Sequence, residues 1–396
     1  NGNFNTLEEV IRNNLIVDEG DPFNEILFNK SINNIQSLGI FKKVETKIQK
    51  GSQDRFKIID LDVEERPTGE ISVSAGFGTQ GGTIGAGIKE NNFLGKGINL
   101  NTNLELTEDS VKGQFVYAKP NFNYSDNTLF TSLKSSSSDF LTDSGYKTSE
   151  LGFSVGTRFE QFQNIYFSPE LDFLIEDLET SNKASNTIKK QEGSYTDLYF
   201  KYSINQDLRD KKFRTEDGFV TTFSQELPIV SDNSEIANSF DITKYKKFST
   251  RSDVVGKVSF FGKTITGLSD DVRISKRLYI PSYRLRGFEK GKVGPVENND
   301  YIGGNHLTSV NMSATLPNIL EGIDNLDVGV FMDAANIWGV DYDSSLDDKS
   351  TIRSSAGVAL NLMTPIGPLS FSFANAITKA SSDKTETFRF NLGTQF

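Results

Sequence analysis

The chain has 396 residues, a formal net charge of −11, no cysteine and one histidine. This excludes disulfide staples, thiolate metal sites, cysteine nucleophiles and any centre needing two histidines, and the acidic balance argues against nucleic-acid binding. The 31 Phe, 12 Tyr and 33 Gly against three Met and one Trp favour strands and turns; mean hydropathy is −0.40 and no run of 18 apolar residues exists, so no transmembrane helix is expected, whereas a β-barrel, whose strands hide half their residues in a polar lumen, stays open.

No signal peptide is visible, and the abrupt start at NGNFNT reads as a mature or trimmed fragment. Residues 1–66 read as a small α/β module. Thr6 is a plausible N-cap for a short amphipathic helix, LEEVIRNNL. After the DEGDPFN turn, Ile26, Leu27, Ile32, Ile35 and Leu38 fit a helical period over 24–38, closed by Gly39. Two strands follow. FKKVETKI aims Phe41, Val44 and Ile48 at a core, and FKIIDLDVEE alternates Ile59, Leu61 and Val63 with Asp60, Asp62 and Glu64. A first strand is not evident and is expected to lie before residue 1. Pro67 marks the boundary, and residues 67–396 form the second domain.

From Glu70 the apolar period becomes 2. GINLNTNLELT alternates Ile98, Leu100, Leu104 and Leu106 with Asn and Glu, and NIYFSPELDFLIED, TDLYFKYSI, IRSSAGVALNL, PLSFSFANA and FRFNLGTQF repeat the pattern. About sixteen such segments start near 70, 82, 97, 111, 127, 147, 164, 193, 218, 240, 252, 304, 326, 352, 368 and 386. Most span roughly 9–12 residues, the length a tilted strand needs to cross a bilayer. The expected fold is a transmembrane β-barrel of sixteen antiparallel strands preceded by the small α/β domain. A soluble sandwich of equal strand count is the bland alternative, but soluble strands average about 5–6 residues. ENNFLGKG, TRS (250–252) and TPIGP make short turns on the side of the small module. SSDFLTDSGY, 178–192, about 263–303 and 339–350 make longer loops on the far side.

The 263–303 connection, the sixth far-side loop, carries seven basic residues and two acids between Asp271 and Lys292, around an apolar centre containing YRLRGF. Loops beyond about 12–15 residues are usually functional or disordered, and this one is too aromatic for simple disorder. Alternation in LDVGVFMDAANIW sends Leu326, Val328, Val330 and Met332 to lipid and Asp327, Phe331 and Asp333 to the lumen. In LTSVNMSATL it sends Ser309, Asn311 and Ser313 inward. The loop is therefore expected to fold into the barrel, with Arg286 paired to Asp333 bidentately, Gly287 allowing close backbone approach and Phe288 anchored on the inner wall. The competing reading is a solvated surface loop that touches lipopolysaccharide or nothing.

The succession NGN-x-x-T, VIRNNL, EGDPFN, SINNIQSLGIFKKV, EERPTGEISVSAGF, ENNFLGKG, RLRGF, IGGNHL, FMDAANIW and FRFNLGTQF resembles the outer-membrane assembly superfamily. That family pairs POTRA domains with a sixteen-stranded barrel and has relatives among mitochondrial sorting-and-assembly and chloroplast translocon barrels. The resemblance implies that 1–66 is the POTRA domain adjoining the barrel, in the periplasm of a Gram-negative bacterium, and that the barrel lies in the outer membrane. It implies an insertase for unfolded β-barrel precursors, with accessory outer-membrane lipoproteins bound through POTRA, the lipid bilayer as a further partner, no nucleic acid, no cofactor and no enzymatic chemistry. The motif Arg maps to Arg286 and its lumen Asp to Asp333. A second family acid falls at Asn311, which leaves a thinner tether with one carboxylate.

Closure pairs the first strand, with Ile71, Val73, Ala75 and Phe77, against the last, with Phe390, Leu392, Gly393 and Phe396. Gly76, Gly78, Gly81 and Gly82 at the first hairpin's tip point to a weakly zipped lateral seam that templates an incoming strand; alternatively they only ease curvature. On this reading loop 6 braces the far wall while the seam opposite moves. A transporter of the two-partner secretion type is the alternative function, disfavoured by the lack of a plug helix; a passive porin and an outer-membrane enzyme rank lower. His306 reads as a lumen or rim residue and the Gly-rich GEISVSAGFGTQGG as strand, not phosphate cradle. Asp347–Asp348 read as solvated loop tips, with a Ca²⁺ contact as the lesser alternative.

Overall fold

The computed structural model describes all residues except 18, 54–55, 143, 213, 250–251, 318–325, 342–345, 347–349, 365–366 and 394–396. Phe396, most of the TRS turn, the centre of TPIGP and Asp347–Asp348 thus lie outside the described residues.

In the small domain, helix α1 (Glu8–Arg12) is shorter than the sequence suggested, and its N-cap position is Leu7, which makes no side-chain cap. Thr6 is used elsewhere: its N–H donates to Glu65 Oε1 at 2.6 Å and its hydroxyl accepts from Asn92 Nδ2 at 2.9 Å. Helix α2 (Glu25–Ser37) starts as local chemistry dictates, with Asn24 Oδ1 accepting from the N–H of Ile26 and Leu27. It packs through Phe28 and Ile35, not Ile26, which stays exposed. Strands Phe41–Lys50 and Lys57–Glu65 pair antiparallel. Val10, Ile11, Ile35, Ile40, Phe41 and Val63 form the core. Ile48 and Ile59 pair across the ladder but lie exposed, because the two helices cover only the other end.

Sixteen strands close into a barrel by antiparallel neighbours throughout. Strands 1 to 8 are Gly69–Gly78, Gly81–Phe93, Ile98–Thr107, Ser110–Lys119, Thr128–Phe140, Tyr146–Phe162, Ile165–Thr180 and Gly193–Asp207. Strands 9 to 16 are Asp217–Ser231, Glu235–Ser249, Ser252–Gly267, His306–Pro317, Leu326–Trp338, Arg353–Thr364, Gly367–Thr378 and Phe388–Leu392. Alternation places faces as read: Val330, Met332 and Met312 point outward while Ser309, Phe331 and Asp333 are buried inside. Strands 6 to 11 run to 15–17 residues, longer than expected, since their polar ends continue the ladder beyond the apolar band. Strand 16 is shorter, at five residues. Far-side connections are not uniformly long: 79–80, 108–109 and 232–234 are tight turns.

The small domain sits on near-side turns. Leu7 N–H donates to Gly95 O at 2.8 Å, and Asn121 Nδ2 to Asn13 O at 2.7 Å. The barrel's apolar core lies in its far half. Leu285, Phe288, Val293, Leu307 and Ile337 pack together inside the wall, and Tyr146, Leu178, Ile188, Ile274 and Ile302 form a second cluster. Both clusters depend on residues of the 268–305 connection (loop 6), so the loop fills the lumen's far end.

Candidate functional site

Loop 6 enters the barrel because the wall offers it carboxylates. Arg273 is fully buried, 3.2 Å from Glu176 of strand 7, bonded to Asp197 of strand 8 and 3.6 Å from Glu235 of strand 10, with Tyr195 stacked 4.3 Å away. Arg277 pairs with Asp341 at 2.7 Å, and Asp341 also accepts from Val272 N–H. Arg284 pairs with Asp241 of strand 10 over the Phe261 ring. These pairs were missed at the sequence level; the signal for Arg273 and Arg284 was inward-facing acids on strands 7, 8 and 10, whereas Asp341 lies in the connection after strand 13. Buried pairs of this kind add little net stability, because both partners lose water.

Arg286 and Asp333 form the most complete of these contacts. Arg286 Nε donates to Asp333 Oδ2 at 2.7 Å, Nη2 to Oδ1 at 2.8 Å, and its backbone N–H to Oδ2 at 3.1 Å. The guanidinium lies 3.4 Å from the Phe331 ring centre, a cation–π contact. Asn311, which faces Asp333 across strands 12 and 13, donates from Nδ2 to Asp333 Oδ1 and to Arg284 O, both at 2.8 Å. The amide therefore links wall and loop where a second acid would only accept, so the contact is not thinned in the way the sequence suggested. Gly287 has φ +89°, and a Cβ there would meet Ala374 Cβ at 3.1 Å and Ser355 Cβ at 3.3 Å. Phe288 is buried in the loop's apolar cluster and bridges Thr385. His306 lies at the start of strand 12, its ring 5.5 Å from Trp338.

The seam is the second candidate element. Strand 1 pairs with strand 2 over ten residues. Among the described residues its pairing with strand 16 is two residues long, Gly78 with Asn391 and Phe77 with Leu392, and Thr79 N–H adds a bond to Phe390 O at 3.2 Å. From Gly69 to Ala75, strand 1 has no ladder partner on strand 16 among those residues. Ile71 and Val73 face outward, each 79% exposed, with Ala75 and Phe77 on the same face. Phe77 meets Phe390 edge-on at 6.0 Å. Gly393 has φ +91° and packs against strand 1; a Cβ there would lie 2.2 Å from Ala75 O.

Loop 6 does not stand opposite this seam. Arg389 of strand 16 donates to Ser282 O and Phe288 O, and Glu386 N–H donates to Gly287 O. The expectation that loop 6 braces a distant wall is corrected by these bonds: the sequence placed the loop between strands 11 and 12, but its apex crosses the lumen to strand 16.

A closed barrel of outward apolar and inward polar faces, with an α/β domain at one mouth and a basic loop folded into the other, defines an outer-membrane barrel of the POTRA-bearing type. The chain belongs to the Omp85 superfamily: the model described as Omp85 superfamily domain matches residues 92–396, and the POTRA model described as surface antigen variable number repeat matches residues 1–66. Over its whole length the chain is 24% identical to the outer membrane protein assembly factor BamA of Neorickettsia risticii, and covers 54% of that relative. It thus spans about half the length of that protein. Among solved structures, BamA from Haemophilus ducreyi lacking POTRA domains 1–3 superposes with a TM-score of 0.84 at 24% identity, over 100% of this chain and 83% of that one. CdiB from Acinetobacter baumannii follows the same fold less closely, at 0.61 and 12% identity, over 98% and 72%.

Proposed function

We propose that the chain inserts and folds β-barrel precursors in the outer membrane, acting through its lateral seam. The observation that carries this reading is the seam itself: among the described residues, a strand paired over ten residues on one side is paired over two on the other, and a strand edge so short of partners can template another strand. A client strand adds there by β-augmentation, and its own folding supplies the free energy, so no nucleotide or cofactor is needed. The small domain is a periplasmic POTRA module that receives unfolded precursors and accessory outer-membrane lipoproteins. Loop 6, held through Arg286 and Asp333, keeps the far end shut while the seam works; a lumen filled in this way does not suit a diffusion pore.

The reading agrees with the relative named as an outer membrane protein assembly factor. Its test is a cross-link. The chain has no cysteine, so Phe77→Cys with Leu392→Cys, which face each other on the outer surface, gives one possible disulfide. In proteoliposomes, oxidation should abolish insertion of a urea-unfolded barrel precursor and reduction should restore it. Undiminished insertion by the oxidised protein would sink the seam reading.

A further inference from the structure

The far end of the seam carries side-chain bonds that neither the ladder nor the loop's own ion pairs require. Arg389 points into the lumen from strand 16. Its Nη1 donates to Ser282 O at 2.9 Å and Nη2 to Phe288 O at 2.8 Å, both in loop 6. Nε and Nη2 also donate to Glu386 Oε2, in loop 8 (379–387), at 3.0 and 2.7 Å. Gln80, in the turn between strands 1 and 2, faces the same guanidinium. With its amide oxygen turned toward the cation, that oxygen accepts from Nε at 3.1 Å and from Nη2 at 2.8 Å, while its nitrogen donates to Ser282 Oγ at 2.9 Å. Arginine has donors only, so the oxygen belongs on its side. One side chain of the last strand therefore gathers loop 6, loop 8 and the first hairpin.

We propose that Arg389 is a positioning residue that latches the far end of the seam, and that it does so only while loop 6 is folded inward. The inference rests on the lateral-opening reading and adds its control. Two backbone carbonyls of loop 6 orient the guanidinium, and Ser282 also holds Gln80. Glu386 N–H on Gly287 O and the Phe288–Thr385 bridge tie the same segment to loop 8. Withdrawing loop 6 removes Ser282 O and Phe288 O from Arg389 and Ser282 Oγ from Gln80, so the Gln80–Arg389 bond across the seam loses the loop groups that orient both its partners, while Glu386 holds the guanidinium on its own side. Charge-assisted bonds are about twice as strong as neutral ones, so beside so short a described ladder the latch governs how often the far end opens.

The test is amide hydrogen exchange on the chain in phospholipid nanodiscs, read at 77–79 and 390–392. Arg389→Gln and, separately, Gln80→Ala are expected to speed exchange there about tenfold or more, with strands 9 and 10 unchanged. Gln80→Ala removes only the hairpin's partner and leaves the packing of loop 6 in place, so it serves if Arg389→Gln folds poorly. Asp333→Ala, which frees Arg286, should loosen the same seam amides without touching them, and Arg389→Lys should give an intermediate effect. Wild-type protection at the seam in both Arg389→Gln and Gln80→Ala overturns the latch, as does a rise of equal size in strands 9 and 10. Wild-type seam protection in Asp333→Ala overturns its dependence on loop 6. Exchange reads opening whether or not clients insert, so failure here is distinct from failure of the cross-link experiment.

Discussion

At the scale of single residues, the Arg286–Asp333 contact is a buried carboxylate satisfied by four donors, three from Arg286 and one from Asn311. Asp333→Ala strands the guanidinium against Phe331 with no counter-charge, and breaking a buried pair from one side costs about 3–5 kcal/mol. Urea unfolding of the barrel should show a loss near the lower end, since Arg286 keeps partial access to solvent; an unchanged midpoint would mean the pair contributes nothing. Gly287→Ala should cost about 1–3 kcal/mol by the same assay, from forcing a side chain into a positive φ. Arg286 and Asp333 were legible in the sequence because two-residue alternation sends Asp333 inward and a basic loop needs an acid. Arg273 was not: Glu176, Asp197 and Glu235 come from three strands and meet only through the barrel's register. Arg389 was hidden for a like reason, as its partners lie about 100 residues upstream in loop 6.

At the scale of elements, alternation located every strand start within two residues except that of strand 10, which begins five residues earlier at Glu235, but not every end, because polar strand tips and loops share a composition. The missed cap on α1 has a different cause. A Thr before a helix reads as an N-cap, yet tertiary contacts claimed Thr6 for the junction with the barrel. Glu65 makes that junction pH-sensitive. Partial burial pushes its carboxyl pKa up, but hydrogen bonds from Thr6 and Asn5 outweigh this and hold it below the usual glutamate range. A depressed carboxyl stabilises the fold above its unfolded pKa, and that contribution is lost as pH falls through the lower folded value. Acidification below the ordinary glutamate range should therefore release the 1–7 segment, with its contacts to Asn92 and Gly95. A fluorophore on Phe4→Cys, a fully outward position, should lose anisotropy in that window. Glu65→Gln should flatten the response; the same acid transition in both proteins would rule Glu65 out.

At the scale of the whole molecule, the chain joins a wall that is zipped nearly everywhere to a seam that is short among the described residues, and fills the far lumen with a loop bonded to both. A sixteen-stranded barrel without such a filling leaves an aqueous channel. Here Arg273, Arg284 and Arg286 fasten the loop to strands 7, 8, 10 and 13, and its apolar residues pack between them. The sequence indicated a loop too basic and too aromatic to stay outside, but not that its apex would reach strand 16, since that distance is set by barrel diameter and not by local pattern. Filling and latching by one loop predict a coupled response. Asp241→Ala with Asp333→Ala removes the acids that hold Arg284 and Arg286, so the loop should leave the lumen part of the time. In planar bilayers the double variant should pass current in large, frequent steps while the unaltered chain stays nearly silent. Adding the oxidised Phe77→Cys, Leu392→Cys cross-link should leave those steps intact, because the current runs through the lumen and not through the seam. Steps that vanish on cross-linking would place the leak at the seam and show that loop 6 is not the plug.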